Sequence, residues 1–103
     1  MLPFYRGERV AVQGGGNSAG QAAVYLARFA EHVTLLVRAG SLASGMSAYL
    51  VDQIAATPNI TVRVNVNVEA LRGKETLEAV DVADRADGST ETLPVAAMFV
   101  FIG

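Results

Sequence analysis

The clearest chemical signal in the sequence is a run of six residues near its start. Residues 14–19 are Gly-Gly-Gly-Asn-Ser-Ala and fit the pattern Gly-x-Gly-x-x-Ala. Gly14 permits a tight turn out of a strand, Gly16 leaves room for a diphosphate to approach the backbone, and Ala19 lets a helix pack closely on the strand. The amides of the first helical turn then point at the anion, and the Ser18 hydroxyl can donate one more hydrogen bond. The spacing therefore predicts a diphosphate site at the start of a helix.

The flanking residues predict the elements that must position this turn. Residues 9–13 form a short apolar run that is typical of a buried strand. A helix is expected from a cap at Asn17 or Ser18 to about Ala30. Residues 32–37 are nearly all apolar, as expected of a second strand that is covered on both faces. Strand, turn, helix and strand together form the context that a dinucleotide-binding turn requires, and a purely structural glycine turn is the alternative.

The end of the second predicted strand indicates which nucleotide the site prefers. NAD and FAD sites usually have an acidic residue there, which holds the ribose hydroxyls. Residues 36–41 are Leu-Val-Arg-Ala-Gly-Ser and include no carboxylate. Arg38 is placed to hold a 2′-phosphate with Ser41 as a helper, and such a charge-assisted bond contributes about 1.5–3 kcal/mol. NADPH is therefore the expected cofactor with NADH still possible, and the alternative is that Arg38 is an ordinary surface arginine.

A second helix and a long alternating segment follow. Ser44 is the predicted N-cap of the helix. Its apolar stripe consists of Met46, Leu50, Val51 and Ile54. Residues 60–68 then alternate between apolar and polar side chains, which indicates one buried and one wet face. Because this segment is long for one strand, we expect a bend near Asn65 that takes the chain from one sheet into another.

The remaining strands complete the predicted fold. Polar-edged strands are expected at residues 77–83 and 90–93, with a hairpin turn at residues 87–88. A buried strand at residues 97–102 ends the chain, which makes the domain look cut from a longer one. The predicted class is α/β. It is a Rossmann-like three-layer fold with a parallel sheet of about four strands, helices, and a three-stranded antiparallel β-meander on one face.

Composition excludes several classes of function. The 103 residues are 51% hydrophobic and 17% charged, which indicates one domain with a real core. There are no cysteines, so these residues hold neither a disulfide, nor a thiolate metal site, nor a redox cysteine pair. A net charge of −2 predicts no nucleic-acid partner and no membrane surface. No signal peptide or membrane span is visible, which favours a cytoplasmic location. Neither a metal-ligand cluster nor a nucleophile–base pair is expected, so no catalytic or metal residue is predicted.

Three segments together resemble a known family. Residues 10–19, the strand ending at Val37 and Arg38, and residues 99–103 resemble the pyridine-nucleotide-binding domain of thioredoxin-reductase-like flavoproteins. The resemblance covers nearly the whole chain and keeps the order of the elements. It implies that residues 1–103 form a single NAD(P)-binding domain, excised from a larger flavoprotein. In that family the domain binds NADPH and delivers hydride to FAD, which other segments of the parent chain bind.

The resemblance also assigns roles to individual residues. The candidate cofactor-binding residues are Gly14, Gly15, Gly16, Asn17, Ser18, Ala19, Arg38, Ser41, Ile102 and Gly103. The closing Ile102 and Gly103 are implied to lie near the cofactor and to return the chain to the FAD-binding domain. Where the family has further arginines and a histidine, this chain has Val37, Ala39 and Ala43. Selectivity for NADP over NAD is therefore expected to be weak.

Two other functions remain open at this point. One is a non-catalytic NAD(H)-sensing regulatory module, which would use the same site to control a partner domain. The other is an FAD-binding half, which the missing acidic residue after the second strand disfavours. The enzyme interpretation requires an FAD-binding domain in the parent chain, and it leaves open whether that parent is a homodimer. The isolated chain is expected to bind nucleotide weakly and to turn nothing over.

Overall fold

The computed structural model describes residues 7–101, which contain two helices and seven strands. In chain order the elements are β1 (Arg9–Gln13), α1 (Asn17–Leu26), β2 (His32–Leu36), α2 (Ala48–Ala55), β3 (Ile60–Arg63), β4 (Val66–Arg72), β5 (Ala79–Asp84), β6 (Thr90–Pro94) and β7 (Ala97–Val100). A parallel sheet has the strand order β3-β2-β1-β7, and an antiparallel sheet has the order β4-β5-β6. The predicted α/β class, with a parallel sheet and an antiparallel meander, is confirmed.

Strand β1 lies at the centre of the parallel sheet. Val10 is in register with Val33 of β2 on one side and with Ala97 of β7 on the other. The chain leaves β1 through α1 and enters β2, whereas β7 returns to the opposite side of β1. In open parallel sheets a crevice forms outside the carboxyl ends of the strands at such a point, and ligands bind there.

Two buried clusters hold the three layers together. Val10 and Val12 of β1 belong to a cluster with the apolar faces of α1 and α2, while Ala11 between them belongs to a cluster with the meander. All three side chains are fully buried. This explains why the strand is apolar at successive positions instead of alternating, because both faces of the parallel sheet are covered.

The helical layer packs closely because α1 presents small residues. Ala19 and Ala23 are fully buried against the sheet. A Cβ added at Gly20 would lie 2.6 Å from Leu50 Cδ2 and 2.9 Å from Met46 Sδ. The absence of a side chain at Gly20 therefore lets α2 approach α1, and the predicted stripe on α2 fills the space between them.

The bend predicted near Asn65 is confirmed. The chain ends β3 at Arg63 and begins β4 at Val66, in the other sheet. Asn65 has a φ of 59°, the left-handed conformation that asparagine adopts more readily than most residues. Its amide donates to the Ala39 carbonyl at 2.8 Å, which ties the crossing to the segment after β2.

The predicted cap and end of α1 were wrong. Gly16 is the N-cap residue, with extended backbone and no side-chain capping bond, instead of Asn17 or Ser18. The helix ends at Leu26, and the amides of Arg28 and Phe29 then bond to carbonyls three residues back instead of four. The Asn59 side-chain amide donates to the carbonyls of Ala27 and Ala30 at 2.9 and 3.3 Å. A residue distant in sequence thus satisfies the carbonyls that a longer helix would have used.

The predicted cap of α2 was also misplaced. Ser47 is the N-cap, and its Oγ accepts a hydrogen bond from the Leu50 amide at 3.3 Å. Ser44 instead donates its hydroxyl to the Ser41 carbonyl at 2.9 Å. Both serines suit a capping position by residue type, so local propensity could not choose between them.

Candidate functional site

A cleft opens at the carboxyl ends of β1, β2 and β7, where the topology predicts a binding crevice. Its volume is about 780 Å³. The glycine turn, the start of α1 and the ends of the three strands line it, and the loop before α2 contributes one wall. The lining residues are Gln13, Gly14, Gly15, Gly16, Asn17, Ser18, Ala19, Leu36, Val37, Arg38, Ala39, Ser44, Gly45, Val100 and Phe101.

The glycine turn is fixed between its two neighbouring strands. Gly14 has a φ of 149°, and its amide donates to the Leu36 carbonyl at 3.0 Å. A Cβ at Gly14 would overlap the carbonyl oxygen of Phe101 and would lie 3.0 Å from the Cβ of Ala19. The turn therefore requires glycine at this position, as the sequence predicted.

The start of α1 presents its amides next to open space. The Gly20 amide donates to the Gly16 carbonyl at 3.1 Å, which is the first bond of the helical pattern. The amides of the three residues before Gly20 in the helix have no carbonyl of their own helix to bond. A Cβ at Gly16 would meet nothing within 4 Å, and the first turn has no acidic residue. The geometry can accept an anion such as a diphosphate.

The side chain of Asn17 faces the loop before α2 and fixes its position. Its Oδ1 accepts a hydrogen bond from the Ser47 amide at 2.9 Å. In the same loop before α2, a Cβ at Gly45 would overlap the carbonyl oxygen of Gly15 in the glycine turn. Ser44 and Gly45 consequently line the cleft, although neither was among the predicted cofactor-binding residues. Their place results from contact between two loops far apart in sequence, and no local pattern reports such a contact.

Arg38 is the only charged residue that lines the cleft in the described part of the chain. It is exposed and lies two residues after β2. The Val37 amide, between β2 and Arg38, donates to the Arg63 carbonyl at 2.8 Å. Within residues 7–101, no carboxylate lies within ion-pairing distance of Arg38. The β2 end of the cleft is therefore positively charged and lacks an acidic group.

The structure does not bring all the predicted residues together. Ser41 is exposed and does not line the cleft, and Ser44 lies there instead. Ile102 and Gly103 lie outside the described residues. The preceding Phe101 donates its amide to the Gln13 carbonyl at 2.8 Å, which places the end of β7 beside the glycine turn. The cofactor roles of all the predicted residues, in the cleft or outside it, remain predictions.

The residues that line the cleft can bind a ligand and orient it. They offer main-chain amides, two serine hydroxyls, one guanidinium and the apolar side chains at the end of β7. Across residues 7–101, no three histidine, aspartate or glutamate side chains are grouped to hold a metal ion. Neither helix in that range is long and apolar enough to cross a membrane.

Known proteins share both the sequence and the fold. Residues 2–103 match the family described as "Pyridine nucleotide-disulphide oxidoreductase". The thioredoxin reductase of Mycoplasma genitalium is 36% identical over 100 residues, covering 97% of this chain and 31% of that protein. A Bacillus subtilis protein named NADH dehydrogenase is 34% identical over 101 residues, covering 98% of this chain and 19% of that protein.

A solved structure confirms the fold. The thioredoxin reductase of Streptococcus pyogenes superposes with a TM-score of 0.92 at 25% identity, covering 98% of this chain and 33% of that one. The chain thus spans about a third of the length of these thioredoxin reductases. The resemblance to thioredoxin-reductase-like proteins is confirmed. With a match over residues 2–103, the chain belongs to the pyridine nucleotide-disulphide oxidoreductase family.

Proposed function

We propose that this chain binds NADPH across the cleft and holds its nicotinamide for hydride transfer to a flavin bound elsewhere in the protein. One observation supports this most directly. Among the described residues, Arg38 is the sole charged residue of the lining, and no carboxylate accompanies it. NAD and FAD sites hold the ribose hydroxyls with an acidic residue at the end of the second strand, whereas a 2′-phosphate needs a cation there.

The proposed orientation of the cofactor follows from the order of the strands. Arg38 follows β2, the glycine turn follows β1, and β7 ends on the other side of β1. A 2′-phosphate at Arg38 and a diphosphate at the start of α1 direct the nicotinamide toward β7. There Val100 and Phe101 are 49% and 38% exposed, which offers an apolar surface to the ring. Residues 102 and 103, which the sequence predicts near the cofactor, lie outside the described residues.

The bound nucleotide and the residues of the chain have separate roles in this function. Bound nicotinamide supplies the hydride, so the chain needs no acid or base of its own for that step. Gly14 and Ala19 shape the turn, and Gly16 leaves space for the diphosphate. The Ser18 hydroxyl donates a hydrogen bond to the diphosphate. We propose that FAD is held by a separate FAD-binding domain of the parent protein. The 103 residues contain no cysteine, so reduction of a disulfide would use residues outside them.

NADH is the second candidate ligand. The Bacillus subtilis relative is named for NADH, and the glycine turn would bind the diphosphate of either nucleotide. The same turn would serve an NAD(H)-sensing module. The two nucleotides differ only by the 2′-phosphate, so a cation at the β2 end of the cleft must distinguish them, and Arg38 is the cation that lines it in the described chain.

Calorimetric titration of the chain with NADPH, NADH and FAD tests the proposal. We expect NADPH to bind about tenfold more tightly than NADH, because one charge-assisted bond is added. FAD should not compete with NADPH for the cleft when both are present in the titration. Arg38→Gln should raise the Kd for NADPH about tenfold and leave the Kd for NADH unchanged.

Lys74→Gln is the matched control for this experiment. Lys74 is exposed in the turn between β4 and β5, outside the cleft, and its substitution changes the net charge equally. It should leave both Kd values unchanged. Equal affinities of the native chain for NADPH and NADH would contradict the role of Arg38.

A further inference from the structure

We propose that Arg85 supplies a second guanidinium at the Arg38 end of the cleft and shares the 2′-phosphate of NADPH with it. This inference rests on the proposed function. Arg85 follows β5 directly, and its Nη1 donates to the main-chain carbonyl of Arg38 at 2.7 Å. A residue of the meander is therefore bonded to the main chain of Arg38, the only charged residue of the lining in the described chain, although Arg85 is not itself a lining residue.

Main-chain bonds hold Arg85 at this place. Its amide donates to the Asn65 carbonyl at 2.9 Å, and the Asn65 amide donates to the Ala39 carbonyl at 2.8 Å. Ala39 lines the cleft next to Arg38. The side chain and backbone of Arg85 are thus tied, directly and through Asn65, to two successive residues of the cleft wall.

The charges of the surrounding groups leave this pair of cations uncompensated. Arg63, at the end of β3, differs from them because it pairs with Glu91 at 2.8 Å. For Arg85 and Arg38, no carboxylate lies within 4.0 Å among residues 7–101. The neighbouring Asp84 uses its Oδ1 to accept from amides of its own turn, including that of Ala86 at 2.7 Å.

Asp87, in the same turn, is also engaged locally. Its Oδ1 accepts from the Ser89 amide at 2.9 Å, and this bonding lowers the pKa of the carboxyl. Like charges repel each other, and an anion bound by both offsets that repulsion. Arginine has five N–H donors in a planar fork, and the Arg38 carbonyl occupies one donor of Arg85. The remaining donors suit a phosphate.

A purely positional role is the competing explanation. In that case Arg85 would only hold the segment after β2 in place through the Arg38 carbonyl. Loss of the clamp would then disturb the cleft for every nucleotide, with or without a 2′-phosphate. A ligand pair that differs only in this phosphate separates the two roles.

The experiment compares the native chain with Arg85→Gln, Arg85→Lys and the control Lys74→Gln. Calorimetry measures the Kd for NADPH, NADH, adenosine 2′,5′-bisphosphate and AMP at low salt. We expect Arg85→Gln to raise the Kd for the two 2′-phosphorylated ligands about fivefold, the upper range for an exposed ion pair. NADH and AMP should bind as before. Arg85→Lys should recover part of the loss, because it keeps the charge without the fork.

Two outcomes would overturn the proposal for Arg85 alone. One is that Arg85→Gln leaves the Kd values for the 2′-phosphorylated ligands unchanged, while Arg38→Gln still weakens the binding of those ligands alone. This result would show that Arg85 does not contact the phosphate. Equal losses for all four ligands would assign Arg85 a positional role only. If the native chain binds neither NADPH nor NADH, the proposed function itself fails, and the role of Arg85 fails with it.

Discussion

Two glycines in this chain share an unusual backbone conformation but serve different ends. Gly14 and Gly73 have φ values of 149° and 151°, and in both cases an added Cβ would overlap a carbonyl oxygen. At Gly73 that oxygen belongs to Thr76, within the same turn between β4 and β5. At Gly14 it belongs to Phe101, at the other end of the chain.

The difference shows what a tight turn needs in order to form a ligand-binding site. The Gly73 turn closes a local hairpin and opens onto solvent at the far end of the meander. The Gly14 turn is wedged between two parallel strands, and the start of a helix follows it directly. The same residue type and the same dihedral angle therefore say little about function. The elements that converge on the turn decide whether a ligand can bind there.

The largest effect is expected from Gly14→Ala. The methyl group would be strained at this φ and would overlap Phe101, so we expect a loss of about 2–4 kcal/mol in the free energy of unfolding. Nucleotide binding should be lost as well, because the turn must move. Urea unfolding followed by circular dichroism, together with calorimetric titration of NADPH, measures both effects.

Gly16→Ala is the matched variant for this prediction. The position has a φ of −97° and open space around the missing Cβ, so the free energy of unfolding should change by less than about 0.5 kcal/mol. The Kd for NADPH should still rise, because the methyl group occupies the approach of the diphosphate. A Gly14→Ala chain as stable as the native one would contradict the fit at β7. Unchanged binding by Gly16→Ala would contradict the placement of the diphosphate.

Gly73→Ala is the corresponding variant in the meander. It suffers the same backbone strain, but its obstacle lies within an exposed turn that can shift. We therefore expect a smaller loss, about 1–3 kcal/mol in the free energy of unfolding. The folded molecules should bind NADPH with the native Kd, which titration under native conditions measures. A weakened Kd without any loss of stability would show that the two turns are coupled.

Local patterns in the sequence predict much of this architecture. The glycine turn, the strand on each side and the bend at Asn65 follow from residue types and alternation over a few positions. These features depend on the backbone preferences of the residues themselves. The covered faces of the parallel sheet then follow from the unbroken apolar runs of its strands, whereas the strand order becomes known only from the structure.

Several features that the sequence did not predict involve distant contacts. Ser47 rather than Ser44 caps α2, and the Ser47 amide donates to the Asn17 side chain of α1. Gly45 lines the cleft because it packs on Gly15. Arg85 reaches Arg38 across 47 positions of sequence. Each requires the fold to be known before the contact can be seen.

The smallest effect concerns an ion pair on the meander, near the Gly73 turn and away from the cleft. Arg72 donates to both carboxylate oxygens of Asp81, and Thr92 donates its hydroxyl to one of them at 2.7 Å. These bonds, first that from Arg72 and then that from Thr92, lower the pKa of Asp81. A lowered pKa in the folded state stabilises the fold above the unfolded pKa of about 3.9, and the stabilisation is lost as the pH falls through the folded value.

Asp81→Asn should therefore reduce stability slightly at neutral pH, and its difference from the native chain should shrink as the pH falls below about 4. Urea unfolding at a series of pH values from about 7 to about 2.5 measures this difference. Asp87 also has a lowered pKa, through its bonds to Ser89, and it titrates in both proteins, so it cancels from the comparison. The Kd for NADPH at neutral pH should be unchanged, because this pair lies outside the cleft. A difference in stability that stays constant down to the lowest pH would show that the Asp81 carboxylate contributes through packing and not through its charge.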